Sequence, residues 1–171
     1  MPEVVKPHET REVTMSEVMT PDTANFSGHV HGGHIMLLLD KVAYVCAARY
    51  SGHSNVTLSV DQILFKKPIY VGDLVTFFAS VNYVGNTSME IGIRVVAETL
   101  TTGEQRHTNT CYFTMVAVDA EGKPVSVKPL VLRDEVDRYR FEEAKLRRTQ
   151  RLELANVHRK RHEAVRGLSR D

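Results

Sequence analysis

Only two cysteines, Cys46 and Cys111, occur among the 171 residues. Each lies inside an apolar segment, which is neither a disulfide framework nor a zinc-ligand pattern and fits a reducing compartment. Net charge is nearly absent as well. Twenty-two Lys and Arg against 21 Asp and Glu leave +1, which excludes a chain dominated by polyanion binding, so no nucleic-acid partner is expected. Long apolar runs are missing too. The longest are Ile35–Leu39 and Val42–Ala48, split by Asp40 and Lys41. A membrane span needs about 20 apolar residues, so no membrane partner is expected. The N-terminus, Met-Pro-Glu-Val-Val-Lys, lacks the basic head and apolar core of a secretion signal. There is no Gly-x-Gly-x-x-Gly, Walker or Gly-x-Ser-x-Gly pattern, and Ser27 and Ser51 therefore make poor nucleophiles. These absences leave a cytoplasmic protein with one mixed helix-and-sheet domain.

What is there is strand-like alternation interrupted by one apolar helix. Residues 1–10 are polar with two prolines, a flexible start. Residues 11–19 alternate polar and apolar, the period of a half-buried strand. A loop follows, Thr20 to Gly32, rich in Pro, Asn, Asp, Gly and His. From Gly33 to about Tyr50 the text predicts a helix, stopped at Ser51-Gly52. Apolar residues point in nearly every direction around it, which predicts burial on all sides. Strand patterns then recur at 55–65, 74–84, 89–98 and 106–118, separated by turn signals such as Gly85-Asn86 and Thr101-Thr102-Gly103. Short turns predict an antiparallel meander, whose long strands would curl around the helix.

From residue 132 the composition shifts. Residues 133–171 hold 12 Lys and Arg against 8 Asp and Glu, almost without Gly or Pro, and predict a net basic helical extension with a weak apolar stripe. Its bland reading is a solvated helix; its functional one is a basic arm for a phosphate-bearing ligand or another subunit.

Asp40 is the oddity of the apolar helix. A buried carboxylate is costly unless paired or hydrogen-bonded, and desolvation would raise its basicity, which suits a general base. The helix start, His31-Gly32-Gly33, offers unpaired amides at the positive end of the helix dipole, suited to an oxyanion. Asn25 precedes it as a neutral hydrogen-bonding side chain in a Gly-containing loop. His29, His31 and His34 cluster within six residues, but without a neighbouring Cys they make a weak chelate, and no metal is expected.

The run from Met19 to Asp40, with Asp61–Asp73, Gly85–Glu90 and Thr110–Asp119, closely resembles the acyl-CoA thioesterases of the hotdog fold, nearest their YciA-type and cytosolic brain-type branch. The resemblance covers residues 11–131 as one domain, leaving 132–171 outside it. It implies an α+β hotdog fold, a long helix wrapped by a five- to six-stranded antiparallel sheet. It also implies hydrolysis of acyl-CoA to free acid and CoA without cofactor, in a homo-oligomer whose catalytic unit is a dimer within a hexamer. By position, Asp40 would activate water, Asn25 of the facing subunit would orient water or the thioester carbonyl, and the Gly33 amide, with Gly32 shaping the approach, would hold the oxyanion. Candidates for the CoA moiety are Lys66, Lys67, the hairpin Gly85, Asn86, Thr87 and Ser88, and Arg94. The alternatives are a non-enzymatic acyl-CoA-binding regulator and, on His31 with Asp40, a hydroxyacyl-thioester dehydratase.

Overall fold

The computed structural model describes residues 10–168, so most of the expected flexible start, residues 1–9, lies outside the described residues. Two compact units divide between Leu130 and Val131. In the first, strand β1 (Glu12–Val18) is followed by a 3-10 turn (Pro21–Thr23), helix α1 (Gly32–Ser51) and strands β2 (Ser54–Val60), β3 (Asp73–Val84), β4 (Ser88–Thr99) and β5 (Glu104–Val118). The strands form one antiparallel sheet of five, in the order β1-β3-β4-β5-β2. No described helix is long and apolar enough to cross a membrane.

The expected meander holds for β3, β4 and β5 alone. β2 pairs with β5 rather than with its successor β3, and it ends at Val60 instead of continuing to residue 65. The physical reason is the length of the 61–72 link. At twelve residues it is far longer than a hairpin loop and lets the chain cross to the other side of the sheet. It stays tethered on the way, by Asp61 N–H to Tyr112 O (3.0 Å) and Lys66 N–H to Thr108 O (2.9 Å).

α1 begins on an N-cap supplied by His31, whose ring Nδ1 accepts the Gly33 N–H (3.1 Å), and stops at Gly52 in the left-handed conformation (φ 73°), where L side chains are strained. Ile35, Leu38, Leu39, Val42, Ala43, Cys46 and Ala47 pack under the sheet against Val75, Phe77, Ile91, Ile93, Val95, Phe113 and Met115. Each large side chain buried this way contributes about 1.5–3 kcal/mol. The expectation of burial on all sides fails, because the sheet wraps only part of the helix circumference. Met36, Leu37 and Tyr44 are 45%, 51% and 44% exposed, and Asp40 and Lys41 lie on the same open stripe.

β4 is buried along both faces from Met89 to Ala97 except at Arg94. On its outer face Gly92 leaves room for the Asn82 side chain, which any Cβ at that position would strike. Asn82 is the extra residue of a bulge in β3 opposite β4.

The second unit is dominated by α2 (Glu135–Leu168), 34 residues and roughly 50 Å long. Asp134 accepts the Asp137 N–H (2.8 Å) while Asp137 reaches back to the Arg133 N–H (2.8 Å), a reciprocal start. Pairs Arg138–Glu135 and Lys145–Glu142 line its exposed surface, and Arg147–Glu143 joins a half-buried arginine to the same helix, each worth a few tenths of a kcal/mol.

Candidate active site

Asp40 lies on the open stripe of α1, so it is neither buried nor alone as its sequence context suggested. Its Oδ1 accepts a hydrogen bond from the Thr57 hydroxyl at 2.6 Å, and among the described residues Oδ2 has no partner. Thr57 reaches it because β2 presents Asn55 and Thr57 towards the helix, opposite Ala117 and Met115 of β5. These two side chains, with Asp40, Lys41, Tyr44, Val45, Met15 and Val56, line an open cleft of about 630 Å³. One carboxylate oxygen is thus fixed by a hydroxyl donor at the wall of a largely apolar, open cleft.

Thr57 was not singled out from the sequence. Its signal is the alternation of Asn55, Thr57 and Ser59 against Val56, Leu58 and Val60, which does not say which set faces inward. In the fold Val56 and Leu58 turn outward, at 51% and 68% exposed, while Thr57, also exposed, turns its hydroxyl to Asp40.

Asn25 sits at the tip of a tight loop. Its N–H donates to His29 O (2.6 Å), and its side-chain oxygen accepts from Ser27 N–H (2.9 Å) and His29 N–H (3.2 Å). That oxygen is spent on the loop, and among the described residues the Nδ2 donor has no partner. Asn25 therefore offers a hydrogen bond to an oxygen, either a carbonyl or a water, and not an acceptor.

At the start of α1 the Gly33 N–H is taken by His31 Nδ1, while no acceptor faces the Gly32 N–H among the described residues. Phe65 covers this end, its ring 3.6 Å from where a Gly32 Cβ would stand. Lys66 and Lys67 follow Phe65 directly in the chain, both exposed, with the Lys66 N–H tied to Thr108 O (2.9 Å). The hairpin candidates are elsewhere. Asn86 accepts from Ser126 Oγ (3.2 Å) and Val127 N–H (2.8 Å), Thr87 O accepts from Ala117 N–H (3.0 Å), and Gly85 N–H donates to Ser88 O (2.8 Å). Arg94 is exposed beside Thr110, six residues and about 20 Å along β4 from Ser88. One subunit does not bring the hairpin and Arg94 together.

The three histidines have separate partners. His31 caps the helix, His34 Nε2 lies 3.5 Å from Glu17, and the His29 ring stands against Tyr70. Cys46 and Cys111 are fully buried, and burial pushes both thiols from the ordinary 9.0 up to about 12, with minor contributions from the charges of Glu12 and Asp61.

A family model described as "Thioesterase superfamily" matches residues 27–104. Protein VdlD of Helicobacter pylori is 52% identical over 140 residues, 82% of this chain and 80% of that one. An uncharacterized acyl-CoA thioester hydrolase, YkhA of Bacillus subtilis, is 39% identical over 123 residues, 72% of this chain and 71% of its own. Among solved structures, a hexameric acyl-CoA thioesterase superposes with a TM-score of 0.83 at 32% identity, over 87% of this chain and 96% of that one. An acyl-CoA hydrolase of Staphylococcus aureus, solved with butyryl-CoA and CoA, gives 0.80 at 26% identity over 95% and 98%. Variants of that enzyme carry alanine for an Asn, an Asp and a Thr, the first two 15 positions apart and the last two 17 apart. Asn25, Asp40 and Thr57 have the same spacing. Shared sequence along most of two relatives and a shared architecture establish that the chain belongs to the thioesterase superfamily and has its hotdog fold.

Proposed function

We propose that the protein hydrolyses acyl-CoA thioesters to a free carboxylic acid and CoA, with Asp40 as general base. The observation that carries this reading is the Asp40 carboxylate held by Thr57 at the wall of an apolar cleft, in a chain whose relatives are named as acyl-CoA hydrolases. Asp40 Oδ2 takes a proton from water as the water oxygen attacks the thioester carbon. The new C–O bond gives a tetrahedral oxyanion, the C–S bond then breaks, and the proton passes to the CoA sulfur. No cofactor takes part in this sequence. Thr57 orients the base, and the Asn25 Nδ2 donor binds the carbonyl or the water.

The oxyanion falls to the amides of Gly32 and Gly33. For Gly33 to serve, the His31 ring must release its N–H, so Gly32 is the donor available first. An oxyanion donor of this kind is worth about 3–4 kcal/mol of barrier. Gly33 and Asp40 stand about 10 Å apart along one helix, too far to act on one carbonyl. The site therefore combines two subunits. The open stripe of α1 and the apolar outer face of β2, whose far edge is unpaired in the sheet order, supply the surface for a dimer, and hexameric relatives suggest three such dimers. Lys66 and Lys67 bind CoA phosphates near the helix start; the hairpin 85–88 and Arg94 join them only if a second subunit brings them close.

Release of CoA thiol across acyl chains from acetyl to palmitoyl tests the reaction, and mixing Asn25→Ala with Asp40→Asn subunits tests the shared site. Recovery of activity in verified hybrids is expected, since each mixed dimer holds one intact site. Tight acyl-CoA binding without turnover would sink the hydrolase reading in favour of a regulator.

A further inference from the structure

We propose that Tyr70, locked by the buried Asp73–Arg106 ion pair, is a positioning residue that sets where the Asn25 side chain points; the inference rests on the role given to Asn25 above. The loop tip at 25–29 is bonded to itself through Asn25. Its fixed point is the stem. There His29 forms an isolated bridge with Tyr70, and Val30 N–H donates to Ile69 O at 2.9 Å. The ring of Tyr70 stands between the His29 ring (5.2 Å, tilted) and the Arg106 guanidinium (5.3 Å). Its backbone N–H donates to Asp73 Oδ2 at 2.8 Å.

Arg106 and Asp73 are 11% and 3% exposed. Arg106 Nη2 meets Asp73 Oδ2 at 2.5 Å and Nη1 donates to Thr99 Oγ1 at 2.7 Å, while the Thr99 hydroxyl faces Asp73 Oδ1 at 3.1 Å. The start of β3, the end of β4 and the start of β5 are thereby locked together at the foot of the loop. A buried ion pair adds little net stability over apolar side chains of the same size, but its charge-assisted bonds fix direction tightly. Tyr70 itself is half-exposed, so packing alone does not account for its clamped ring. The contacts run on without a break, from Asp73 to Tyr70, to His29, and through the His29 N–H to the Asn25 side-chain oxygen. Any shift of His29 is handed to that oxygen, and with it to the Nδ2 donor.

The experiment places Tyr70→Ala and Tyr70→Phe in the wild-type chain and in Asn25→Ala, and follows acyl-CoA turnover alongside amide hydrogen exchange of residues 24–31. Truncating the exposed Tyr70 leaves the ion pair intact, so the variant folds where an Arg106 substitution would strand a buried carboxylate. Displacing a reacting group by about 1 Å costs up to about 100-fold, so Tyr70→Ala should lower kcat by about 10- to 100-fold. KM should stay within about twofold. Tyr70→Phe, which keeps the ring, should recover most of the loss, and Asn25→Ala should lose no further kcat when Tyr70→Ala is added. Exchange at 24–31 should quicken while β4 stays protected. The same factor lost in both backgrounds, or exchange no faster than in the wild type, would overturn the proposal. A wild-type chain without turnover would instead overturn the hydrolase reading, and the exchange arm would still decide the anchoring.

Discussion

One helix presents two unlike faces. The closed face of α1, from Ile35 through Leu39 and Ala43 to Ala47, is shut off from water by the sheet, while the open stripe from Met36 through Asp40 to Tyr44 faces a cleft. Both are rich in apolar residues, so hydrophobicity alone does not tell them apart. The closed face has every neighbour it needs within the chain. The open one carries the Asp40 carboxylate among exposed apolar side chains, so the residues of the proposed chemistry and of the proposed dimer share a stripe that the fold of one chain leaves uncovered.

The sharpest way to separate the faces is to change each and read stability and turnover together. Asp40→Asn should cut kcat by about 10²- to 10⁴-fold, the range for a lost general base. Its midpoint of thermal unfolding should hardly move, because the site is exposed. Wild-type turnover in the purified, folded variant would remove Asp40 from the mechanism. Leu39→Ala, at the residue next to Asp40 but on the closed face, should cost about 2–5 kcal/mol in urea unfolding while turnover per folded molecule persists. A smaller cost would show that the closed face is not the core of the domain.

Cys46, also on the closed face, gives a pH test. Below pH 9 its thiol is protonated in both the folded and the unfolded chain and adds no pH dependence. Between 9 and about 12 only the unfolded chain ionises, so stability should fall by about 1.4 kcal/mol per pH unit for each of the two thiols. A Cys46→Ala, Cys111→Ala chain with an equally steep alkaline loss would refute this. The smallest effect is expected at Thr57→Val. Stability should change by about 1 kcal/mol or less, with kcat down about tenfold and KM little altered. Unchanged kcat would sever Thr57 from Asp40.

The same contrast explains what the sequence disclosed. Strand periodicity exposed the β3–β4–β5 meander and the length of α1, because period two and an uninterrupted apolar run are local signals. The crossing of β2 to the β5 edge is decided by a long link and by partners remote in sequence. The outward turn of Val56 and Leu58 hid Thr57, because alternation names two faces without saying which one is inside. Asn25, Gly32, Gly33 and Asp40 were legible as residue types in a spacing. That Asn25 spends its oxygen on its own loop, that His31 holds the Gly33 amide, and that Asp40 is open to solvent are matters of geometry.

The burial of the two thiols has a consequence for an enzyme whose proposed product is itself a thiol. Exchange with a disulfide requires an accessible thiolate, and both sulfurs are sealed from solvent, where burial also pushes the thiols up to about 12. Cys46 and Cys111 are thereby shielded from mixed disulfides with oxidised CoA, the oxidised form of the proposed product.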